Sequence, residues 1–228
     1  MKTVEEINSE NWLAIVDNIV LGDCIEGMKK IPDKSIDLIF ADPPYNAKNI
    51  GPNEMVYKDQ KMQLEENEYR LWCEDWFVEA ERIAKRVLLT PGIANTHNYP
   101  QPKWILCWHK PAAVSFNRMG GFNVWEPVFF YGDSMPKGKR LPQDYTLCNT
   151  RNLGNPIERN HPCPKPLELL RKLVETFSLE NDLVLDPFMG SGTTARACKD
   201  LKRKYIGFEL IKDYVEISEK RLSQEILF

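Results

Sequence analysis

The sequence predicts an α/β fold, with a mostly parallel sheet covered by helices on both faces. Three observations carry this. Short apolar runs recur along the chain, helix-periodic segments separate most of them, and several runs stop abruptly in turns rich in Asp, Gly and Pro. At 228 residues, 43% hydrophobic and 28% charged, the chain suits one globular domain with a modest insertion.

The first strand is Ile19-Val20-Leu21, closing in Gly22-Asp23. Cys24 to Ile31 has helical spacing, with Pro32 as its stop. Ile36 to Ala41 is a second buried strand, and Asp42-Pro43-Pro44-Tyr45 ends it, because proline cannot continue a central strand. Residues 46–67 are polar and read as a mobile loop. A helix from Tyr69 to Lys85 carries Trp72, Trp76, Val78 and Ile83. Strands follow at Arg86–Thr90, Trp104–Trp108 and Val124–Tyr131. Pro164 and Pro166 sit where the next helix opens, and Leu170, Leu173, Val174 and Phe177 give it one apolar face. Leu183-Val184-Leu185 is a strand running into Asp186, and a helix spans about Thr194 to Leu201. Tyr205 to Glu209 is the last strand, and an amphipathic helix with Tyr214, Val215, Ser218 and Leu222 closes the chain.

Ten of the 16 prolines lie between Pro100 and Pro166, which disfavours long regular elements there and marks a loop-rich insertion. Charge is uneven in the same place. Residues 101–172 hold 11 Lys and Arg against 5 Asp and Glu, whereas the rest holds 19 against 28, so a net charge of −3 conceals a basic middle. The cluster Lys137, Lys139 and Arg140 within it is the candidate phosphate-facing surface; a solvated loop would have the same composition. The six cysteines are scattered with no C-x-x-C pair, so free thiols are expected, with neither a zinc site nor a disulfide framework. The polar N-terminus lacks a signal-peptide core, and no run approaches the roughly 18 apolar residues of a membrane span. A cytoplasmic protein without a membrane partner is expected.

Two strand ends carry chemistry. The first is Asp186-Pro187-Phe188-Met189-Gly190-Ser191-Gly192-Thr193-Thr194. Small residues at Gly190, Ser191 and Gly192 let backbone approach a ligand at a helix N-terminus, where free N–H groups and the helix dipole favour a carboxylate or phosphate. The lack of a Lys after the last glycine excludes a P-loop. Glu209 ends the next strand 17 residues after Gly192, where an acid commonly accepts ribose hydroxyls. The second strand end is Asp42-Pro43-Pro44-Tyr45. An exocyclic base amine is a poor nucleophile because its lone pair is delocalised into the ring. The Asp42 carboxylate and the Pro43 carbonyl can hold its two N–H groups and aim the lone pair at an electrophile. The prolines bring no competing donors, and Tyr45 offers a ring on which an extruded base can stack.

Together the two motifs resemble those of the DNA amino-methyltransferases. Asp42-Pro43-Pro44-Tyr45 looks like their catalytic motif, and Asp186 to Thr193 like their S-adenosylmethionine motif. The catalytic motif comes first, which is the permuted order of the family's β class. The resemblance implies a Rossmann-like fold with a seven-stranded, mainly parallel sheet, and places Asp186, Glu209, Asp23 and Asp42 side by side along its carboxyl edge. His161-Pro162-Cys163-Pro164-Lys165-Pro166 resembles the family's helix-opening segment, which implies His161 and Lys165 near the methionine carboxylate. Gly22-Asp23-Cys24 resembles the strand end that reads the cofactor's adenine, with Asp23 accepting from its amine. The resemblance covers residues 1–110 and 155–228. The segment 111–154 stands at the family's target-recognition position and is short for that task.

The implied activity is base flipping and direct transfer from S-adenosylmethionine to the N6 amine of adenine in double-stranded DNA, leaving S-adenosylhomocysteine. No metal is required. A cognate restriction endonuclease is an implied partner, and the chain itself is expected as monomer or homodimer. Transfer to the N4 amine of cytosine is the nearest alternative, although those enzymes more often carry Ser-Pro-Pro-Tyr. C5-cytosine methylation needs a Cys nucleophile where Asp42 stands, and Cys163 opens a helix instead. A catalytically inert DNA- or cofactor-binding protein is the alternative of a different class, and every motif residue being intact weighs against it.

Overall fold

In a computed structural model the described residues are 1–46, 64–111, 121–140, 143–148 and 165–224. Most of the predicted 46–67 loop, with His161 and Cys163, lies outside them.

The strands are β1 (Lys2–Thr3), β2 (Asn18–Leu21), β3 (Leu38–Ala41), β4 (Arg86–Leu89), β5 (Trp104–His109), β6 (Trp125–Gly132), β7 (Tyr145–Leu147), β8 (Leu183–Asp186) and β9 (Lys204–Glu209). The helices are α1 (Cys24–Met28), α2 (Glu66–Ile83), α3 (Leu167–Phe177), α4 (Thr193–Asp200) and α5 (Lys212–Ser223). They build one sheet in the order β1-β2-β9-β8-β3-β4-β6-β5-β7. Among the described residues the sheet therefore has nine strands, not the seven expected. The inner seven are those the sequence predicts; β1 and β7 are edge strands of two and three residues, too short to show a buried run. Every strand runs in one direction except β6, which is antiparallel to both β4 and β5. The segment 111–154 thus contributes β6, inside the sheet, and β7 at its edge.

Alternation along the strands divides the core. Ile39, Val87, Phe129, Leu185 and Phe208 face one way and pack under α1 and α2, whose Met28, Tyr69, Cys73, Trp76 and Ala80 are fully or almost fully buried. Leu38, Phe40, Leu88, Val128 and Val184 face the other way, against Leu170, Leu173 and Phe177 of α3 and Ala197 and Cys198 of α4. Val215 and Leu222 of α5 close that side over Ile19 and Ala195.

Two local features fix how the helices reach the sheet edge. Asp23 caps α1, its carboxylate accepting from the amides of Ile25 (2.9 Å) and Glu26 (3.0 Å). The helix is shorter than the predicted Cys24–Ile31, ending at Met28. Gly27 lets it lie directly on β9, since a Cβ there would fall 2.4 Å from the Phe208 ring. The neighbours β2, β9, β8, β3 and β4 end in line at Asp23, Glu209, Asp186, Asp42 and Thr90, the edge at which parallel α/β sheets bind ligands.

Candidate active site

The turn between β8 and α4 is built around two carboxylates. Asp186 is 2% exposed; its oxygens accept from the amide of Phe188 (2.9 Å) and the hydroxyl of Thr194 (2.5 Å), tying the start of the turn to the first turn of the helix. Burial pushes its carboxyl up to about 7, against those two hydrogen bonds, and the nearby charges of Asp42 and Glu209 push the same way. Glu209 accepts from the amides of Gly190 (2.8 Å) and Ile211 (2.9 Å), and burial raises its carboxyl too. Gly190 and Gly192 take positive φ values of 54° and 78°, which lets the chain double back before α4 begins.

Helix α5 clamps this turn from behind. Ser218 donates to the carbonyl of Gly190 (2.7 Å), and a Cβ at Gly192 would come within 2.9 Å of the Ser218 side chain. Arg221, 4% exposed, donates to the carbonyl of Ser191 (3.0 Å), its hydroxyl (3.2 Å) and the hydroxyl of Thr193 (2.7 Å). Sequence reasoning missed both residues. The signal was available, because Arg221 falls three residues after Ser218 and beside Leu222 on the face that the helical period turns inward.

Asp42 is assembled differently. Its Oδ1 accepts from the hydroxyl of Thr90 (2.7 Å), just past β4, and from the Tyr45 phenol (3.3 Å). Its Oδ2 accepts from Lys165 Nζ at 2.5 Å, from just before α3. The structure thus brings Lys165 to the catalytic-motif aspartate. Pro44 is fixed through its carbonyl, which accepts from Tyr69 of α2 (3.0 Å). Gly92 (φ 68°) passes beneath Tyr45, where a Cβ would lie 3.1 Å from the ring. Lys165 Nζ also lies 5.8 Å from the centroid of the Tyr45 ring and 5.9 Å from that of Trp108. Thr90, Tyr69 and Trp108 belong to no motif and could not be singled out from the sequence.

Asp23, Glu209, Asp186 and Asp42 do line one edge, as the resemblance implies. Three strand spacings separate the first from the last, about 14 Å at roughly 4.8 Å each. Cys24 is buried beside Asp23, and burial first, then that carboxylate, raises its thiol. Phe188 packs between this edge and α2, its ring 5.1 Å from Trp76 and 5.6 Å from Trp72. Lys137, Lys139 and Arg140 are not brought to this edge. They follow Gly132, which pairs with Arg86 at the start of β4, so the reversed direction of β6 takes the chain to them from the opposite end of the sheet. Among the described residues no group of acidic, His and Cys side chains could hold a metal, and no helix is long and apolar enough to cross a membrane. The five described cysteines are free, and none stands at the end of β3.

A glycine-rich turn, an acid on the next strand and a separate Asp-Pro-Pro-Tyr turn thus share the edge at which parallel α/β sheets bind ligands. Known proteins make this specific. A family model described as DNA methylase, of the N6/N4 type, matches residues 121–220. The type II methyltransferase M.HinfI of Haemophilus influenzae is 31% identical over 94% of this chain and 70% of its own length. The type II methyltransferase M2.MboI of Moraxella bovis is 29% identical over 90% and 86%. In fold, the chain is similar to the cytosine-N4-specific PvuII DNA methyltransferase (TM-score 0.68, 19% identity, 92% and 87% covered). It is also similar to M1.HpyAVI solved with SAM (TM-score 0.61, 23% identity, 91% and 99% covered). The chain belongs to the N6/N4 family of DNA methyltransferases.

Proposed function

We propose that this enzyme methylates the N6 amine of adenine within a specific DNA sequence, using S-adenosylmethionine, as a permuted, β-class member of its family. The observation that carries the reading is Asp42, a carboxylate oriented by Thr90, Tyr45 and Lys165 at the end of β3, next to a turn suited to the cofactor.

The residues of the cofactor half fit S-adenosylmethionine by their donor chemistry. The amides of Gly190 and Gly192 are taken by Glu209 and the Met189 carbonyl, but the first-turn amides of α4, from Thr193, lack partners within the helix, so the helix start beside Ser191 suits a carboxylate. Glu209 would accept from ribose hydroxyls, and Asp23 from the adenine amine beside Cys24. Phe188 supplies apolar surface, while Asp186, with Pro187 and Thr194, shapes the turn. His161 is assigned near the cofactor's carboxylate on the family resemblance alone. When bound, the cofactor supplies a methyl group on a positively charged sulfur.

The remaining work falls to the protein. Asp42 Oδ2 and the Pro43 carbonyl accept the two N–H groups of the target amine, which localises its lone pair. Pro43 and Pro44 hold the turn open with no amide donors of their own. Tyr45, backed by Gly92, stacks against the flipped base, offsetting part of the few kcal/mol that unstacking costs. Rate comes from positioning, with no covalent intermediate on the protein.

N4-cytosine transfer is the second reading, because the same two acceptors would hold a cytosine amine equally well. Asp42, where N4 enzymes more often have Ser, favours adenine. The part of residues 111–154 outside β6 is assigned to target recognition, with double-stranded DNA as substrate and a restriction endonuclease as functional partner. Expression in a host lacking DNA methylation, followed by sequencing of plasmid DNA for modified bases, tests the target base and the sequence specificity. N6-methyladenine at one recurrent sequence is expected; N4-methylcytosine would replace the first reading by the second.

A further inference from the structure

The geometry points to Lys165 as the positioning residue that aims the Asp42 carboxylate, a role different from binding the cofactor's carboxylate. The inference rests on the reading of Asp42 as the acceptor for the target amine. Three elements converge on that carboxylate. Thr90 and Tyr45 anchor Oδ1, and Lys165 anchors Oδ2 from across 123 residues of chain. A carboxylate held at one oxygen alone rotates easily, since its last torsion is broad and two-fold. The Lys165 contact removes that freedom.

Lys165 is not a solvated surface lysine. Its side chain is 13% exposed, that of Asp42 is 24% exposed, and the ammonium lies within 6 Å of the ring centroids of both Tyr45 and Trp108. Trp108 is held in turn by its indole N–H on the carbonyl of Cys148 (3.0 Å), so one wall behind the ammonium is rigid. The site also needs a cation for electrostatic reasons. Asp42 shares its edge with the carboxyls of Asp186 and Glu209, and the charges of Asp42 and Glu209 raise the cost of ionising Asp186. Lys165 sits where it offsets this.

Occupancy by Lys165 does not exclude the base. Each carboxylate oxygen has two lone pairs, so Oδ2 can take the ammonium and one amine N–H together. Lys165 then fixes which lone pair remains and where it points. A pair this buried also costs desolvation, a cost that an apolar pair of similar size would avoid.

The test uses the full chain with unmethylated plasmid DNA, single-turnover transfer of tritiated methyl, and calorimetric binding of S-adenosylmethionine. Lys165→Met is expected to lower the single-turnover rate about 100-fold with cofactor Kd within about threefold, and Lys165→Arg to recover most of that rate. In an Asp42→Asn background the same Lys165→Met change should cost less than about fivefold, because the partner charge is already gone. A cofactor Kd weakened tenfold or more with the rate unchanged would overturn the proposal and give Lys165 to the cofactor. Equal losses in both backgrounds would overturn it too, since Lys165 would then act independently of Asp42. If Lys165→Met does not fold, Lys165→Arg and Lys165→Gln in the two Asp42 backgrounds carry the same comparison. Failure of the parent reading looks different: Asp42→Asn alone would keep the wild-type rate.

Discussion

The two halves of the sheet edge are built in opposite ways. In the cofactor half, Asp186 and Glu209 spend their oxygens mainly on amides and a hydroxyl of the turns that follow their own strands, and α5 locks the β8–α4 turn through Ser218 and Arg221. In the catalytic half, Asp42 takes donors from Thr90 and Lys165, 48 and 123 residues away. The cofactor turn is therefore held by bonds that reach no further than 30 residues, all within the C-terminal part of the chain. The full set of donors to Asp42, the proposed catalytic acceptor, exists only once β3, β4 and the start of α3 have come together.

The largest effect should come from breaking the catalytic half. Asp42→Ala is expected to lower methyl transfer by at least about 10²–10³-fold, the scale for removing one positioned electrostatic partner. Cofactor Kd, by calorimetry, should stay within about threefold, because that half holds itself together. A comparable loss of cofactor affinity would show the two halves to be one cooperative unit.

Breaking the clamp should do the converse. Arg221→Met removes the charged donor to Ser191 and Thr193, bonds worth about 1.5–3 kcal/mol each when a charged group is involved. Cofactor Kd is expected to weaken about tenfold, with the rate at saturating cofactor little changed and a lower Tm. An unaltered Kd would mean that the turn keeps its shape without α5.

A subtler contrast lies in pH. The Asp186 carboxyl, pushed up to about 7 by burial, keeps its proton in the folded chain where the unfolded chain, with a pKa near 4, has lost it. Stability should fall as pH rises from about 4 to about 7 and then level off. Asp186→Asn, which can keep partners for Phe188 and Thr194, should flatten that slope in thermal melts. An unchanged slope would place the titration elsewhere.

These contrasts explain what was legible beforehand. Asp186 to Thr194 and Asp42 to Tyr45 are contiguous, so both turns of the candidate site could be read directly from the sequence. The inner seven strands were legible as buried runs, whereas two-residue β1 and three-residue β7 gave no pattern to read. Thr90, Tyr69 and the Lys165–Asp42 pair were hidden because only the tertiary fold makes them neighbours. Charge counts located a basic segment but not the end of the sheet from which it starts. That depended on β6 running antiparallel, which takes the chain to Lys137, Lys139 and Arg140 from the end opposite Asp42.

The smallest effect is accordingly expected there. Neutralising Lys137, Lys139 and Arg140 together should weaken DNA binding modestly and change the slope of log K against log salt by less than about 1, the value of a single phosphate contact. A change near 3 in salt titrations would instead put all three on the phosphates.

Asp42 is the proposed acceptor for an adenine amine. Single-turnover transfer of tritiated methyl to unmethylated DNA, with the product hydrolysed and its bases separated, tests that directly for the wild type and Asp42→Asn. Label in N6-methyladenine, made rapidly by the wild type and slowly by Asp42→Asn, is the predicted result. Label in a cytosine derivative, or equal rates for the two proteins, would contradict it.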